Sequence, residues 1–165
     1  MHCYAGQVGS VHDMRVYRLS SFQKMCTEEN FPEDSHLLGD AAYGIQKYIM
    51  ILFRDNGHLT EIETNYNKIY SSACMMAERS LGLLKGHFRS ILDTLPMTRT
   101  DLIAKYVVAC CILHNICLLH NDIIEIPLIV NEMQFEPHRE VIDPQIKEQG
   151  IQKRNFIAQA LMNRY

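Results

Sequence analysis

"HLLGDAAYGI", residues 36–45, is a short apolar run that stops on Gly39-Asp40 and is followed by small residues, Tyr43 and Gly44. Two leucines after a histidine are too few for a helix and read as a brief buried strand. The aspartate at its end has two readings. It is a turn residue whose side chain caps the backbone two residues on, or a carboxylate at the mouth of a sheet, where α/β folds place their ligands.

The flanking sequence sets the frame for that strand. Upstream, residues 1–5 read as another strand and "GQVGS" (6–10) as a glycine loop. Ser10-x-x-Asp13 is a variant capping box opening a helix to about residue 25, and "TEENFPEDS" (27–35) is a polar loop. Downstream, "IQKYIMILF" (45–53) is ambiguous between helix and strand, and "RDNGH" (54–58) is a turn.

Thr60-x-x-Glu63 is a capping box. Behind it Tyr66, Ile69, Tyr70, Ala73, Ala77, Leu81, Leu84, Phe88 and Ile91 recur at steps of three or four, one apolar face of a long helix. Glu78 borders that face. A second helix is expected from about 100 to 120, apolar nearly all round and therefore central. Residues 121–142 read as a linker or surface wrap, and Asp143-Pro144 starts a last amphipathic helix to about 163.

Strand, helix, strand and then several helices describe an α/β chain with a partial sheet and a helix-rich C-terminal half. Two strands do not make a stable open sheet, so a further strand is expected upstream of residue 1. The organisation expected is an incomplete α/β domain over 1–120, with 121–165 as linker and terminal helix.

Composition narrows the function. The 165 residues are 47% hydrophobic and 21% charged, as in an ordinary globular domain. Sixteen basic against nineteen acidic residues give a net charge of −3, which argues against an autonomous nucleic-acid binder. Cysteines 3, 26, 74, 110, 111 and 117 form no regular framework, and four sit in helical stretches, which fits a reducing compartment. No signal peptide is read in "MHCYAGQVGS". The apolar run "YVVACCIL" (106–113) stops at His114-Asn115, short of the ~20 residues a bilayer needs, so no membrane partner is expected.

Three stretches in order, "GQVGSVHDMRVYRLS" (6–20), "LLGDAAYGI" (37–45) and "YNKIYSSACMMAERSLGLLKGHFRSI" (66–91), resemble the second half of a PIF/Harbinger-type transposase domain. "CCILHNIC" (110–117) resembles the helix that follows them. The resemblance implies an RNase H-like nuclease fold of the DDE superfamily and cleavage of DNA phosphodiester bonds by an acidic triad holding divalent metal. Phosphodiester chemistry uses two such ions about 3.5–4 Å apart, and Mg²⁺ or Mn²⁺ calls for oxygen ligands. Carried over by motif, Asp40 is the second acid, Glu78 the third, and Asp13 a supporting metal ligand. The first aspartate belongs to a strand that the resemblance puts upstream of residue 1. The chain therefore reads as N-terminally truncated, with impaired catalysis and weak binding of a single ion.

Other residues keep two readings each. Asp13 is either a metal support or an N-terminal cap. His12, Lys85 and Arg89 touch DNA phosphate or form solvated polar surface, and His87 lies among them. Cys110, His114 and Cys117 share a helix face at zinc-like spacing, but they read better as a core helix with a hydrogen-bonded His114. The resemblance further implies a nuclear, possibly also cytoplasmic, protein with a separate Myb-like DNA-binding partner. The rival reading is a non-catalytic transposase remnant that serves as a protein-interaction module.

Overall fold

The computed structural model describes residues 13–32, 35–92, 95, 99–122 and 142–163. The expected strand at 1–5, the glycine loop, Ser10, His12 and the wrap over 123–141 lie outside the described residues. The elements are α1 (Asp13–Leu19), α2 (Phe22–Met25), β1 (Leu37–Leu38), β2 (Ile49–Met50), α3 (Glu61–His87), α4 (Thr100–Leu119) and α5 (Pro144–Met162). Short 3-10 turns occupy Ala41–Tyr43 and Arg89–Ile91. Helix dominates among the described residues, and their strands form a two-stranded parallel sheet that pairs Leu37 with Ile49 and Leu38 with Met50.

The chain divides into two compact units. Val11–Cys74 with Met133–Tyr165 form a strand unit, and Met1–Ser10 with Met75–Glu132 form an α4 unit.

In the strand unit, the helix expected to reach residue 25 breaks at Ser20-Ser21. The Ser20 hydroxyl donates to the Tyr17 carbonyl at 2.6 Å and accepts from the Phe22 amide at 3.3 Å. A serine that bonds its own backbone in this way competes with the helical ladder, so α1 ends and α2 restarts.

Within the ambiguous segment 45–53 only Ile49 and Met50 form strand, and both are needed inside. Met50 is fully buried with Tyr66, Tyr70 and Ala158, while Ile49 packs with Met14 and Tyr17. Successive strand residues face opposite sides, so β2 feeds one apolar cluster from each face. β1 is less buried than expected. Leu37 is half-buried and Leu38 is 42% exposed.

The capping box forms at the start of α3. The Thr60 amide donates to Glu63 Oε2 at 2.8 Å and the Glu63 amide to Thr60 Oγ1 at 3.3 Å. The Thr60 amide, and then the Thr60 hydroxyl, which donates to the same oxygen at 2.9 Å, hold the Glu63 carboxyl below its ordinary pKa.

The Asp143 side chain caps α5, accepting from the Gln145 amide at 2.9 Å. The helix then approaches the backbone of Gln46 so closely that a Cβ at Gly150 would lie 2.8 Å from its carbonyl carbon. Further along, Arg154 donates to the Leu52 carbonyl at 3.1 Å and lies 3.8 Å over the Phe53 ring. Burial lowers the pKa of that guanidinium.

In the α4 unit the expectation of a central α4 is overturned. Cys110 and His114 are buried, yet Ile112 is 52% and Leu119 81% exposed. The helix is apolar all round, but it is covered on only one side among the described residues. The apolar face of α3 behaves the same way. It is buried at Tyr66 and Tyr70 and reaches the surface at Ala73, Ala77 and Leu81. α3 also ends before Phe88, so Arg89 lies in a 3-10 turn and not on the helix that carries Lys85.

Candidate functional site

Asp40 stands directly after β1, and the backbone leading to it is held from several directions. The Gly39 amide donates to the Met50 carbonyl at 2.9 Å, which closes the ladder. A Cβ at Gly39 would lie 2.7 Å from Ile49 Cγ2, so this close strand approach requires glycine. From α3 the Tyr70 hydroxyl reaches the Gly39 carbonyl and also the Met50 carbonyl, the latter at 3.1 Å. Burial raises the Tyr70 pKa well above its ordinary value, so the phenol keeps the proton it donates.

The Asp40 side chain is exposed, and its Oδ1 accepts from the Ala42 amide at 3.2 Å, capping the turn 41–43. The turn role posed by the sequence is therefore present in the structure. It engages one carboxylate oxygen and fixes the direction of the group. The other oxygen accepts no hydrogen bond from a described residue.

The remaining site residues are placed separately. Glu78 is half-buried on α3, in the α4 unit, and forms no ion pair with a described residue. Asp40 belongs to the strand unit. Asp13 is the first residue of α1, but its side chain is outside the described residues, as is all of His12. Lys85 and Arg89 are both exposed.

The stretch Cys110, His114 and Cys117 behaves as a helix with a satisfied histidine. His114 is buried, and its Nδ1 lies 2.9 Å from His87 Nδ1. Burial, and then the neighbouring His87, lower the His114 pKa.

Against known proteins, residues 1–115 match the family model described as DDE superfamily endonuclease. The chain belongs to this family. The match includes the positions of Asp13, Asp40, Glu78, Lys85 and Arg89. Among relatives, the rat protein named "Putative nuclease HARBI1" is 31% identical over 116 residues, covering 68% of this chain and 32% of the relative. The human protein of the same name is 29% identical over 137 residues, covering 80% and 38%. The Arabidopsis thaliana "Protein ALP1-like" is 26% identical over 131 residues, covering 72% and 32%. The chain thus spans about a third of the length of the curated relatives it matches. No solved structure matches it.

The family match also bears on α4. Residues 101–119 form a helix long and apolar enough to cross a membrane by those two measures, because the helix runs on through His114-Asn115. The DDE endonuclease match runs into this helix as far as residue 115 and so includes most of it.

Proposed function

We propose that this chain is part of a divalent-metal nuclease of Harbinger-transposase descent, RNase H-like in fold, acting on DNA phosphodiester bonds. The observation that carries the reading is Asp40. It is an exposed carboxylate at the end of a parallel strand, oriented by Ala42, and the sequence resemblance gives it the part of the second acid. Carboxylate oxygens suit Mg²⁺ or Mn²⁺. Asp40 and Glu78 would hold the ion, with Asp13 in support. When bound, such an ion activates a nucleophilic water and steadies the leaving oxygen.

The chain's own contribution is orientation. Tyr70 and the tight Gly39–Ile49 approach fix the backbone that presents Asp40, while Glu78 follows Tyr70 on the same helix. His12 and the exposed Lys85 and Arg89 would meet backbone phosphates, contacts that position DNA without reading its sequence. Sequence recognition then falls to a Myb-like partner in the nucleus, in keeping with a net charge of −3. Two principal acids support weak binding of one ion.

Calorimetric titration with Mn²⁺ and a plasmid-nicking assay test this on the chain and on Asp40→Asn and Glu78→Gln. Millimolar binding is expected, lost in either variant. If there is neither binding nor nicking, the second reading stands: a non-catalytic module that docks other proteins. The exposed apolar side chains of α4 favour that reading.

A further inference from the structure

The end of α3 and the end of α4 gather chemistry that phosphodiester cleavage does not use. His87 is the last residue of α3, Cys117 lies in the last turn of α4, and Asp122 follows that helix. One ligand atom from each lies within 4.8 Å of the others. All three residues belong to the α4 unit.

A local device brings Asp122 there. α4 ends with His120 as its cap and Asn121 in the left-handed region at φ 56°. The Asp122 amide donates to the Cys117 carbonyl at 3.0 Å and the Asn121 amide to the Leu118 carbonyl at 3.1 Å. This is the Schellman pattern. It turns the chain back so that Asp122 sits beside Cys117 instead of continuing away from the helix.

The surroundings of His87 supply an independent observation. Its Nδ1 lies 3.1 Å from the Leu83 carbonyl oxygen and 2.9 Å from His114 Nδ1. Its Nε2 lies 3.1 Å from the Asp122 carbonyl oxygen. A neutral imidazole has one N–H; donated from Nε2 to the Asp122 carbonyl, it leaves on Nδ1 a lone pair, on the side that faces His114 Nδ1. A backbone carbonyl on one ring nitrogen is also the partner that metal-ligating histidines use to fix their tautomer, which leaves the other nitrogen for the ion.

We propose that His87, Cys117 and Asp122 bind a transition-metal ion of the zinc class. Imidazole, thiolate and carboxylate together suit Zn²⁺. Mg²⁺ prefers all-oxygen shells and is a poor match for this set. Three protein ligands leave a fourth position for water or for a donor atom from a partner. The ion ties the end of α3 to the end of α4, so its binding stabilises the α4 unit. The site shares no residue with Asp40 and Glu78, so it stands or falls independently of the nuclease reading.

Cobalt(II) titration of the reduced, full chain in excess Mg²⁺ provides the test. The expected result is a thiolate-to-cobalt charge-transfer band that saturates at one equivalent, is displaced by Zn²⁺, and accompanies a rise in Tm. Cys117→Ser should abolish the band. Asp122→Asn, at an exposed position with little reach into the fold, should weaken binding by at least about tenfold, the scale seen even for outer-shell partners. The band should persist in Asp40→Asn. Absence of the band, or a band unaffected by both Cys117→Ser and Asp122→Asn, overturns the proposal. So does an NMR experiment in which Zn²⁺ leaves the His87 ring signals unmoved.

Discussion

Two glycines inside helices, Gly150 of α5 and Gly82 of α3, show how differently the strand unit and the α4 unit are filled. A Cβ at Gly150 would press into the backbone of Gln46, whereas a Cβ at Gly82 meets nothing within 4 Å. The same residue type is a packing requirement in one place and an entropic cost in the other. Met50, Tyr66, Tyr70 and Ala158 close around one another in the strand unit. In the α4 unit, apolar side chains such as Leu119 face outward. Hydrophobic content alone therefore does not say how much of a helix is covered.

The contrast is most exposed to test at Tyr70. Tyr70→Ala should lower the unfolding free energy by about 3–5 kcal/mol, the range for emptying a large aromatic site. Tyr70→Phe should cost about 1–2 kcal/mol, because the Gly39 carbonyl loses its hydroxyl partner. Urea titration measures both, and near-neutral values would mean that the strand unit is no better packed than its neighbour.

Alkaline pH probes the same core. Burial pushes the Tyr66 phenol up to about 12, from an unfolded value near 10, and raises Tyr70 as well. The folded state therefore holds these protons more tightly. The stability they contribute is complete below about pH 10 and is lost as pH rises toward about 12. Urea midpoints measured from pH 8 to 11.5 should stay level and then fall, and Tyr66→Phe should remove part of the fall.

Gly150→Ala should cost about 1–2 kcal/mol, overpacking outweighing the gain in helix propensity. Gly82→Ala should instead stabilise by about 0.5–1 kcal/mol. A thermal melt of each variant reads the difference in sign, and equal signs would erase the distinction drawn between the two units.

The sequence announces the long helices because their signals are local. Thr60-x-x-Glu63 and Asp143-Pro144 cap α3 and α5 as written, and the leucine pair at 37–38 is a strand. Segment 45–53 resists reading because its strand character depends on clusters filled from α1, α3 and α5. The break at Ser20 hangs on one hydroxyl choosing its own backbone. The coverage of α4 is a tertiary property that periodicity does not carry. At the proposed nuclease site, Asp40 and Glu78 stand out through the family resemblance, not through any spacing of their own. The His87–Cys117–Asp122 cluster is missed because its members come from two helices and a turn. Its one local sign is Asn121, a residue tolerant of the left-handed conformation, placed just before an aspartate.

The strand unit is discontinuous along the polypeptide, and that has a consequence for biogenesis. The bond from Arg154 to Leu52 spans 102 residues, and that from Lys153 to Ser35 spans 118. Translation delivers β1 and β2 long before α5, so their core waits half-open while the intervening segment is made. A nascent chain stalled ahead of α5 will expose Met50 and Tyr66 to chaperones and proteases. Protein yield will therefore depend on synthesis reaching the last helix without pause.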